Sequence, residues 1–312
     1  MSAPIIQHYI PQFLLRNFKI KEKRGNEEAI FVYDKSTNRE YQSPIKKVAA
    51  ERHFYEVKNE TNQYSIENEL GKYESVTKPI IQKIIQNKSI KSITKKEKMT
   101  LSKFICLQIL RVPSTRNNFS DLTEAFAQKF NFFEISGIPR PTPEEEKITH
   151  CNFVLNEVTT LVPFVYNKDW ILCEAYDSSF IIGDNPVVIS NTFYKGRGSL
   201  GLKSQGIEIY MPISPEFCLL LVCNSIRKSI SERLARAPTH KELASSVERL
   251  TQFSSVLKRN ETIRNTKENI IFVNSLQVGY AERFVYSDKK DFDLPKELIA
   301  EYGNGTRQFK IY

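Results

Sequence analysis

Several polar side chains of this 312-residue chain stand inside segments that are otherwise suited to a hydrophobic core. Their types are those that enzymes use as general bases, metal ligands and phosphate-binding groups. The same types also serve to satisfy the polar atoms of a core, and residue type alone leaves both interpretations open. The set comprises His8, Glu67, Glu74, Gln108, Arg111, Asp184 and Asn185.

The first of these residues lies in the opening segment SAPIIQHYIPQFLLRNF. Pro11 is suited to the start of a short helix, and Gln12 and Arg16, four residues apart, are expected on one side of it. His8 stands just before the first turn, where the helix dipole disfavours a proton, so a neutral imidazole is predicted. His8 is therefore a candidate general base, or else a histidine that fastens the N-terminal segment.

Two predicted helices carry the acids and the arginine. Glu67 and Glu74 are seven residues apart, about 10 Å along one side of a helix, and can hold a divalent cation or receive an arginine. The run LSKFICLQILRVPSTR is apolar around most of its circumference, which predicts a buried helix with Gln108 and Arg111 as neighbours. Because an unpaired buried arginine is costly, Arg111 is predicted to have an acidic partner among Glu67, Glu74 and Asp184.

The segment FIIGDNPVVIS reads as two apolar strands joined by Asp184, Asn185 and Pro186. These three residues favour a turn, which also displays a carboxylate and an amide at a strand end, where substrate or metal ligands are often found. A Gly-x-Gly-x-x-Gly pattern follows at 196–201, but no strand–helix context surrounds it, so it is not interpreted as a dinucleotide site. We expect a mobile loop there, with Arg197 able to close over an anionic ligand.

The formal charge of +9 favours an anionic partner, with nucleic acid first and a membrane surface second. The segment 78–103 contains eight lysines and a single acid, Glu97. It is either a solvated helix face or a patch that follows the phosphates of a nucleic acid. The residues predicted to contact nucleic acid are Lys88, Lys91, Lys95, Lys96 and Arg197.

Composition argues against several other classes of protein. The five cysteines contain no Cys-x-x-Cys pair and sit among apolar neighbours, so buried free thiols are expected. Only four histidines are present, and a structural zinc site is not expected. No run of 18 apolar residues and no signal-peptide pattern occurs, so the expected compartment is the cytoplasm and no membrane partner is predicted.

The predicted fold class is α+β, largely helical, with an antiparallel sheet formed mainly by residues 169–224 and a small N-terminal hairpin. A single domain over 1–312 is expected, with a helical half at 1–165 and C-terminal helices at 239–290. The hairpin covers 30–41, and HFYEV at 53–57 is a candidate third strand. Helices are expected at 64–86 with a kink at Pro79, and at 95–111, 143–161, 240–259 and 267–282. Capping boxes are predicted at Thr94, Thr142 and Thr239, each with a glutamate three residues later.

Six segments together carry a family resemblance: QHYIPQFLLRNF, VAAERHFY, SIENELGKYE, FICLQILRVPSTR, FIIGDNPVV and MPISP. Over residues 5 to 290 the chain resembles the widespread microbial domain-of-unknown-function family 4238, whose pattern singles out the seven polar residues named first. The resemblance implies no settled activity. Val112 departs from the family, where many members have a small polar residue, so no hydroxyl role is expected there. The family's general character suggests prophage or antiviral defence.

Three functional hypotheses follow. In the first, the protein is a metal-dependent phosphodiester hydrolase, nuclease-like, in which Glu67, Glu74 and Asp184 hold Mg²⁺ or Mn²⁺. His8 would then act as general base and Arg111 would stabilise the phosphate charge, with Gln108 and Asn185 completing the catalytic set. In the second, the protein is a non-enzymatic nucleic-acid-binding or sensing module whose buried polar network is structural. In the third, it acts on a nucleotide or another small anion.

Overall fold

The computed structural model describes residues 5–21, 27–58, 63–193, 200–235 and 244–305. Its helices are α1 (Gln12–Leu15), α2 (Glu67–Asn87), α3 (Lys95–Leu110), α4 (Pro113–Phe130), α5 (Phe132–Ser136), α6 (Pro143–Tyr166), α7 (Asn224–Ala235), α8 (Ala244–Arg259), α9 (Lys267–Tyr280) and α10 (Asp293–Tyr302). Its strands are β1 (Ile6–His8), β2 (Ala29–Asp34), β3 (Arg39–Pro44), β4 (Ala50–Arg52), β5 (Glu56–Lys58), β6 (Gln63–Ser65), β7 (Asp169–Ala175), β8 (Ile182–Gly183), β9 (Val188–Ser190), β10 (Glu208–Pro212), β11 (Phe217–Val222), β12 (Thr262–Asn265) and β13 (Phe284–Ser287).

The strands form two larger sheets and two short ribbons. The five-stranded sheet has the order β12-β7-β11-β10-β9 and is antiparallel except for β12, which runs parallel to β7. The second sheet has the order β3-β2-β13-β8, and the ribbons are β1-β4 and β5-β6. The strand pairs among the described residues are antiparallel except for β12 with β7, and most helices lie outside the strand-rich stretches, so the predicted α+β class is confirmed.

The N-terminal hairpin is formed by β2 and β3, which pair from Ala29 with Pro44 to Asp34 with Arg39. Asn38 adopts the left-handed conformation that its tight turn requires. The segment at 53–57 does not extend this sheet as expected, since β5 pairs with β6 in a separate ribbon. The strand added to β2 is instead β13, some 250 residues further along the chain.

The FIIGDNPVVIS segment is divided between the two sheets. β8 pairs with β13, whereas β9 pairs with β10. Gln277 of α9 holds both sides of the connection, accepting a hydrogen bond from Gly183 N and donating one to the Pro186 carbonyl oxygen. A Cβ atom at position 183 would lie 2.8 Å from the Gln277 backbone oxygen, so only glycine fits this approach. The connection is a crossover between sheets rather than the hairpin turn that its residues suggest.

The predicted helices are present over their described residues, whereas α4, α5, α7 and α10 were not predicted. α2 continues through Pro79. Proline has no backbone N–H to donate, so the carbonyl one turn earlier has no helical partner, and the exposed position leaves it open to water. Pro113 occupies the first turn of α4, a helix that the sequence analysis did not predict. The capping boxes at Thr94 and Thr142 are confirmed, and the one predicted at Thr239 lies outside the described residues.

α3 packs against both α2 and α6, and its central residues are buried on nearly all sides, as its apolar sequence predicts. Its C-terminal end, at Leu110 and Arg111, is therefore deep in the protein. Within the parts of the chain that the structure describes, no helix combines the length and apolarity that crossing a membrane requires.

Candidate functional site

Arg111 is the centre of a buried polar network. It is the C-cap residue of α3 and is 1% exposed. Its guanidinium donates from Nη1 to Glu74 Oε1 at 2.7 Å, from Nη2 to the His8 carbonyl oxygen at 2.6 Å, and from Nε to the Tyr55 hydroxyl at 3.1 Å. The Tyr55 hydroxyl in turn donates to the Arg111 carbonyl oxygen at 2.7 Å. The acidic partner predicted for Arg111 is therefore Glu74, and this prediction is confirmed.

The network is joined to the N-terminal strand by residues that the sequence analysis did not select. Gln7, fully buried, accepts from the Tyr55 backbone N–H and donates to the Ser65 hydroxyl at 3.2 Å. The same hydroxyl accepts from the backbone N–H of Glu67 at 3.2 Å. The sequence feature that could have selected Gln7 was its place beside His8 in an apolar segment. For Tyr55 the sequence offered no such feature beyond its aromatic type.

His8 contributes its backbone, rather than its ring, to the contact with Arg111. Burial lowers the pKa of His8, and the charge of Arg111 acts in the same direction, while hydrogen bonding at the Ile45 backbone opposes them. The imidazole is thus neutral near pH 7, in agreement with the sequence-based expectation. Its Nε2 is buried and has no hydrogen-bond partner among the described residues.

Glu67 lies at the start of α2, close to the charges of Arg111 and Glu74. Burial raises the pKa of Glu67 to about 7, the charge of Glu74 adds to the effect, and that of Arg111 opposes it. Its Oε2 is buried and, within the described residues, unpartnered. The same holds for both amide atoms of the fully buried Gln108, one turn before Arg111 on α3. Buried polar atoms of this kind usually bind ordered water.

We expect Glu67→Gln to raise the free energy of unfolding by about 1–3 kcal/mol at pH 8 and to change it little at pH 4.5. The native state holds the Glu67 proton up to a pKa of about 7, above the value of an unfolded glutamate. Wild-type stability therefore falls as pH rises between these values, and the glutamine variant lacks that loss. Urea unfolding across this range measures it, with the exposed Glu69→Gln on the same helix as control. Parallel profiles for both variants would contradict the expectation.

Asp184 and Asn185 lie near the Arg111 network but form hydrogen bonds of their own. The charge of Asp184 helps to raise the pKa of Tyr9, the residue after His8, although burial is the larger cause. Asp184 is 4% exposed and accepts from three consecutive backbone N–H groups, those of residues 282, 283 and 284, at 2.7–2.8 Å. Burial raises the pKa of Asp184 to about 6, against the lowering effect of these bonds. Asn185 donates to the Ser114 hydroxyl of α4 at 3.1 Å. Both side chains therefore hold the connection between α9 and β13 and the start of α4.

The carboxylates predicted as ligands of Mg²⁺ or Mn²⁺ are not assembled into a metal site. Glu74 is ion-paired with Arg111, and both oxygens of Asp184 are taken by backbone donors. No group of three or more His, Cys, Asp or Glu side chains in the described ranges could hold a metal ion. The predicted ligand set of Glu67, Glu74 and Asp184 is therefore not assembled: Glu67 and Glu74 lie beside Arg111, whereas Asp184 binds the backbone before β13.

Two grooves on the described surface lie away from these networks. One, of about 680 Å³, is lined by apolar side chains of α4, α5 and the segment leading to α6. The other, of about 530 Å³, lies between Lys35, α9 and α10. Neither groove is lined by any of the seven polar residues singled out from the sequence, so these residues form no part of the two clefts.

The lysine-rich segment between α2 and α3 is open to solvent. Lys88, Lys91, Lys95 and Lys96 are all exposed, whereas Arg197 lies outside the described residues. Lys91 is 3.8 Å from Glu261, a loose ion pair. For Lys88, Lys95 and Lys96, the described part of the chain offers no ion-pair partner within 4.0 Å. We refer to residues 88–96 as the α2–α3 turn.

The charge of the α2–α3 turn is not neutralised locally. Lys95 and Lys96 begin α3, where the positive end of the helix dipole disfavours cations. Glu97, the acid of this segment, is occupied by the capping box with Thr94 and by an ion pair with Lys83 at 3.0 Å. Lys95 and Lys96 are therefore exposed cations in the first turn of α3, and the acid of that turn, Glu97, is already bound to Thr94 and Lys83.

The cysteines differ slightly from expectation. All five are free, and four of them are buried, but Cys223 is half-buried at the start of α7. The pKa of Cys223 is lowered overall. Burial alone would raise it, but the hydrogen bonds from Ser225 and the charge of Lys168 outweigh burial.

These features define an α+β protein with a buried arginine-centred network and a basic helix–helix turn. The model of a protein family described as "Protein of unknown function (DUF4238)" matches residues 6–291. The chain belongs to this family, as its sequence resemblance implied. No curated protein and no solved structure gave a significant match.

Proposed function

We propose that the protein is a nucleic-acid-binding module that contacts its ligand through the α2–α3 turn. The observation that carries the proposal is the exposed positive charge of Lys88, at the C-terminal end of α2, and of Lys95 and Lys96, at the N-terminal end of α3. Exposed lysines of this kind bind phosphates, which supply most of the affinity for nucleic acid and little sequence discrimination. The net charge of +9 adds a long-range attraction for the same ligand.

The Arg111 network supports this surface without touching the ligand. Arg111 ends α3 and binds Glu74 of α2, so the two helices that present the turn are held together at the opposite end of α3. The bond to the His8 carbonyl oxygen fixes the N-terminal strand to the same point. A buried, hydrogen-bonded arginine of this kind gives the two helices one relative position, which keeps the lysines in a constant arrangement.

We expect the double substitution Lys95→Glu and Lys96→Glu to weaken binding to nucleic acid by at least about tenfold at low salt. It should also reduce the slope of log affinity against log salt by about two, because two phosphate contacts are lost. Fluorescence anisotropy with labelled oligonucleotides, measured between 25 and 200 mM salt, tests this. The matched control is Lys289→Glu with Lys290→Glu, an exposed adjacent pair that gives the same change in net charge.

Two outcomes would overturn the proposal. One is a wild-type protein that binds neither DNA nor RNA at the lowest salt. The other is an equal loss of affinity in both double variants, which would show that net charge, rather than the α2–α3 turn, determines binding.

A phosphodiester hydrolase is the second candidate, favoured by Glu67. A general base works best when its pKa lies near the working pH, and burial raises the pKa of Glu67 to about 7 beside the charge of Arg111. The carboxylates do not fit a metal ion, so this candidate includes no metal-dependent step. Incubation of plasmid DNA and RNA with wild type and Glu67→Gln tests it. Wild type that leaves every substrate intact ends this candidate and, with it, the link to nucleolytic defence.

A further inference from the structure

We propose that the nucleic acid bound by this protein is single-stranded and that Tyr176 stacks on one of its bases. This inference rests on the proposed function, because it extends the basic surface of the α2–α3 turn to the edge of the five-stranded sheet. The position of Tyr176 beside that surface, and the exposure of its ring, carry the argument.

The α2–α3 turn is in direct contact with β12. The hydroxyl of Thr262, the first residue of β12, donates to the Lys88 carbonyl oxygen at 2.8 Å. Glu261, just before β12, lies 3.8 Å from Lys91. β12 is the outermost strand of its sheet, so the lysines and this strand form one continuous surface.

Arg264 continues that surface along β12. It lies two residues after Thr262 and therefore on the same face of the strand, about 7 Å further along. Its side chain is 73% exposed and makes a contact of 3.6 Å with Glu174. Because the contact with Glu174 is long, the Arg264 guanidinium remains available to a phosphate group.

Tyr176 stands beside Arg264. It directly follows β7, whose last residue, Ala175, pairs with Asn265 of β12. The Tyr176 residue is 55% exposed, and the Arg264 guanidinium lies 5.4 Å from the centre of its ring. Tyr176 and Arg264 thus lie towards the opposite end of β12 from Thr262, which contacts the α2–α3 turn. An exposed aromatic ring with an adjacent cation can bind a base by stacking and a phosphate by charge.

This arrangement distinguishes a single strand from a duplex. The lysines and Arg264 attract the phosphates of either form, but the bases of a duplex are stacked on one another and offer no free face to Tyr176. A single strand presents unpaired bases, and stacking adds to the electrostatic attraction. The acids at positions 174 and 261 reduce the charge of this surface, which increases the relative importance of stacking.

The test compares a 20-nucleotide single strand, as DNA and as RNA, with a duplex of the same length, by fluorescence anisotropy at low salt. We expect wild type to prefer the single strand. Tyr176→Ala should weaken single-strand binding by about tenfold and change duplex binding by less than about twofold. Tyr176→Phe, which keeps the ring, should retain wild-type affinity, and Tyr41→Ala, at an exposed tyrosine of the other sheet, should have no effect.

The outcomes separate this inference from the proposed function. Equal wild-type affinity for single strand and duplex, or an unchanged single-strand affinity in Tyr176→Ala, would overturn the inference and leave nucleic-acid binding intact. An equal loss for both ligands in Tyr176→Ala would also overturn it. A wild-type protein that binds neither ligand would overturn the proposed function itself. Comparison of the DNA and RNA arms shows which sugar the bound strand carries.

Discussion

Arg111→Met is expected to lower the free energy of unfolding by about 3–5 kcal/mol, the largest effect of any single substitution considered. Methionine fills much of the same space but donates no hydrogen bond. The carboxylate of Glu74, the hydroxyl of Tyr55 and the carbonyl oxygen of His8 would each lose a donor in the interior. Most of the expected loss comes from Glu74, whose side chain is 25% exposed, so water replaces only part of its attraction to Arg111.

Urea unfolding at pH 7.5 measures this loss, with Arg116→Met as the matched control. Arg116 also contacts a glutamate, at 3.2 Å, but that pair is more exposed, and the expected loss is below about 1 kcal/mol. Arg111→Lys should recover only part of the stability, since one ammonium cannot reproduce the planar set of three donors. A loss below about 1 kcal/mol for Arg111→Met would show that the network is not a stabilising element.

Asp184→Ala is expected to lower the free energy of unfolding by about 3 kcal/mol. Its carboxylate accepts from three consecutive backbone N–H groups at the start of β13, and alanine leaves all three without an acceptor in a buried position. The measurement belongs at pH 7.5, above the pKa of about 6 that burial produces, where the carboxylate is charged. The control is Asp121→Ala, at an exposed position of α4.

The affinity for nucleic acid provides a second measurement on Asp184→Ala. The proposed function requires unchanged affinity in the folded variant, because Asp184 supports a chain connection and not the α2–α3 turn. A variant with wild-type stability and lost affinity would instead place Asp184 in a binding site and would contradict the structural role.

Local chemistry explains why parts of the site were predictable. The part LSKFICLQIL is apolar around most of its circumference, which predicts a buried helix, and a buried arginine at its end needs a counter-charge. An acidic partner for Arg111 therefore followed from residue type. The capping boxes at Thr94 and Thr142 and the hairpin of β2 and β3 were predictable for the same reason. Each of these features depends on residues within a few positions of one another.

Long-range pairing explains the errors. Asp184, Asn185 and Pro186 favour a turn, but the same residue types suit both a hairpin and a crossover between sheets. Its actual path depends on Gln277, some 90 residues away, and on β13. The predicted metal ligands failed for a related reason: helix spacing places Glu67 and Glu74 on one face, but it does not show that Arg111 takes Glu74 or that backbone donors take Asp184.

By itself, the sequence determined the α+β class, several of the helices with the capping boxes at Thr94 and Thr142, the family, and the need of Arg111 for an acidic partner. These features follow from periodicity, turn chemistry and the cost of burying charge, which act locally or on one residue at a time. Only the tertiary structure decided which acid pairs with Arg111 and that Asp184 holds a backbone connection. It also decided that Tyr176 and Arg264 lie together at the edge of the sheet whose outer strand, β12, contacts the α2–α3 turn. Such neighbours are set by the packing of segments that are distant in the chain. No local sequence pattern encodes that packing.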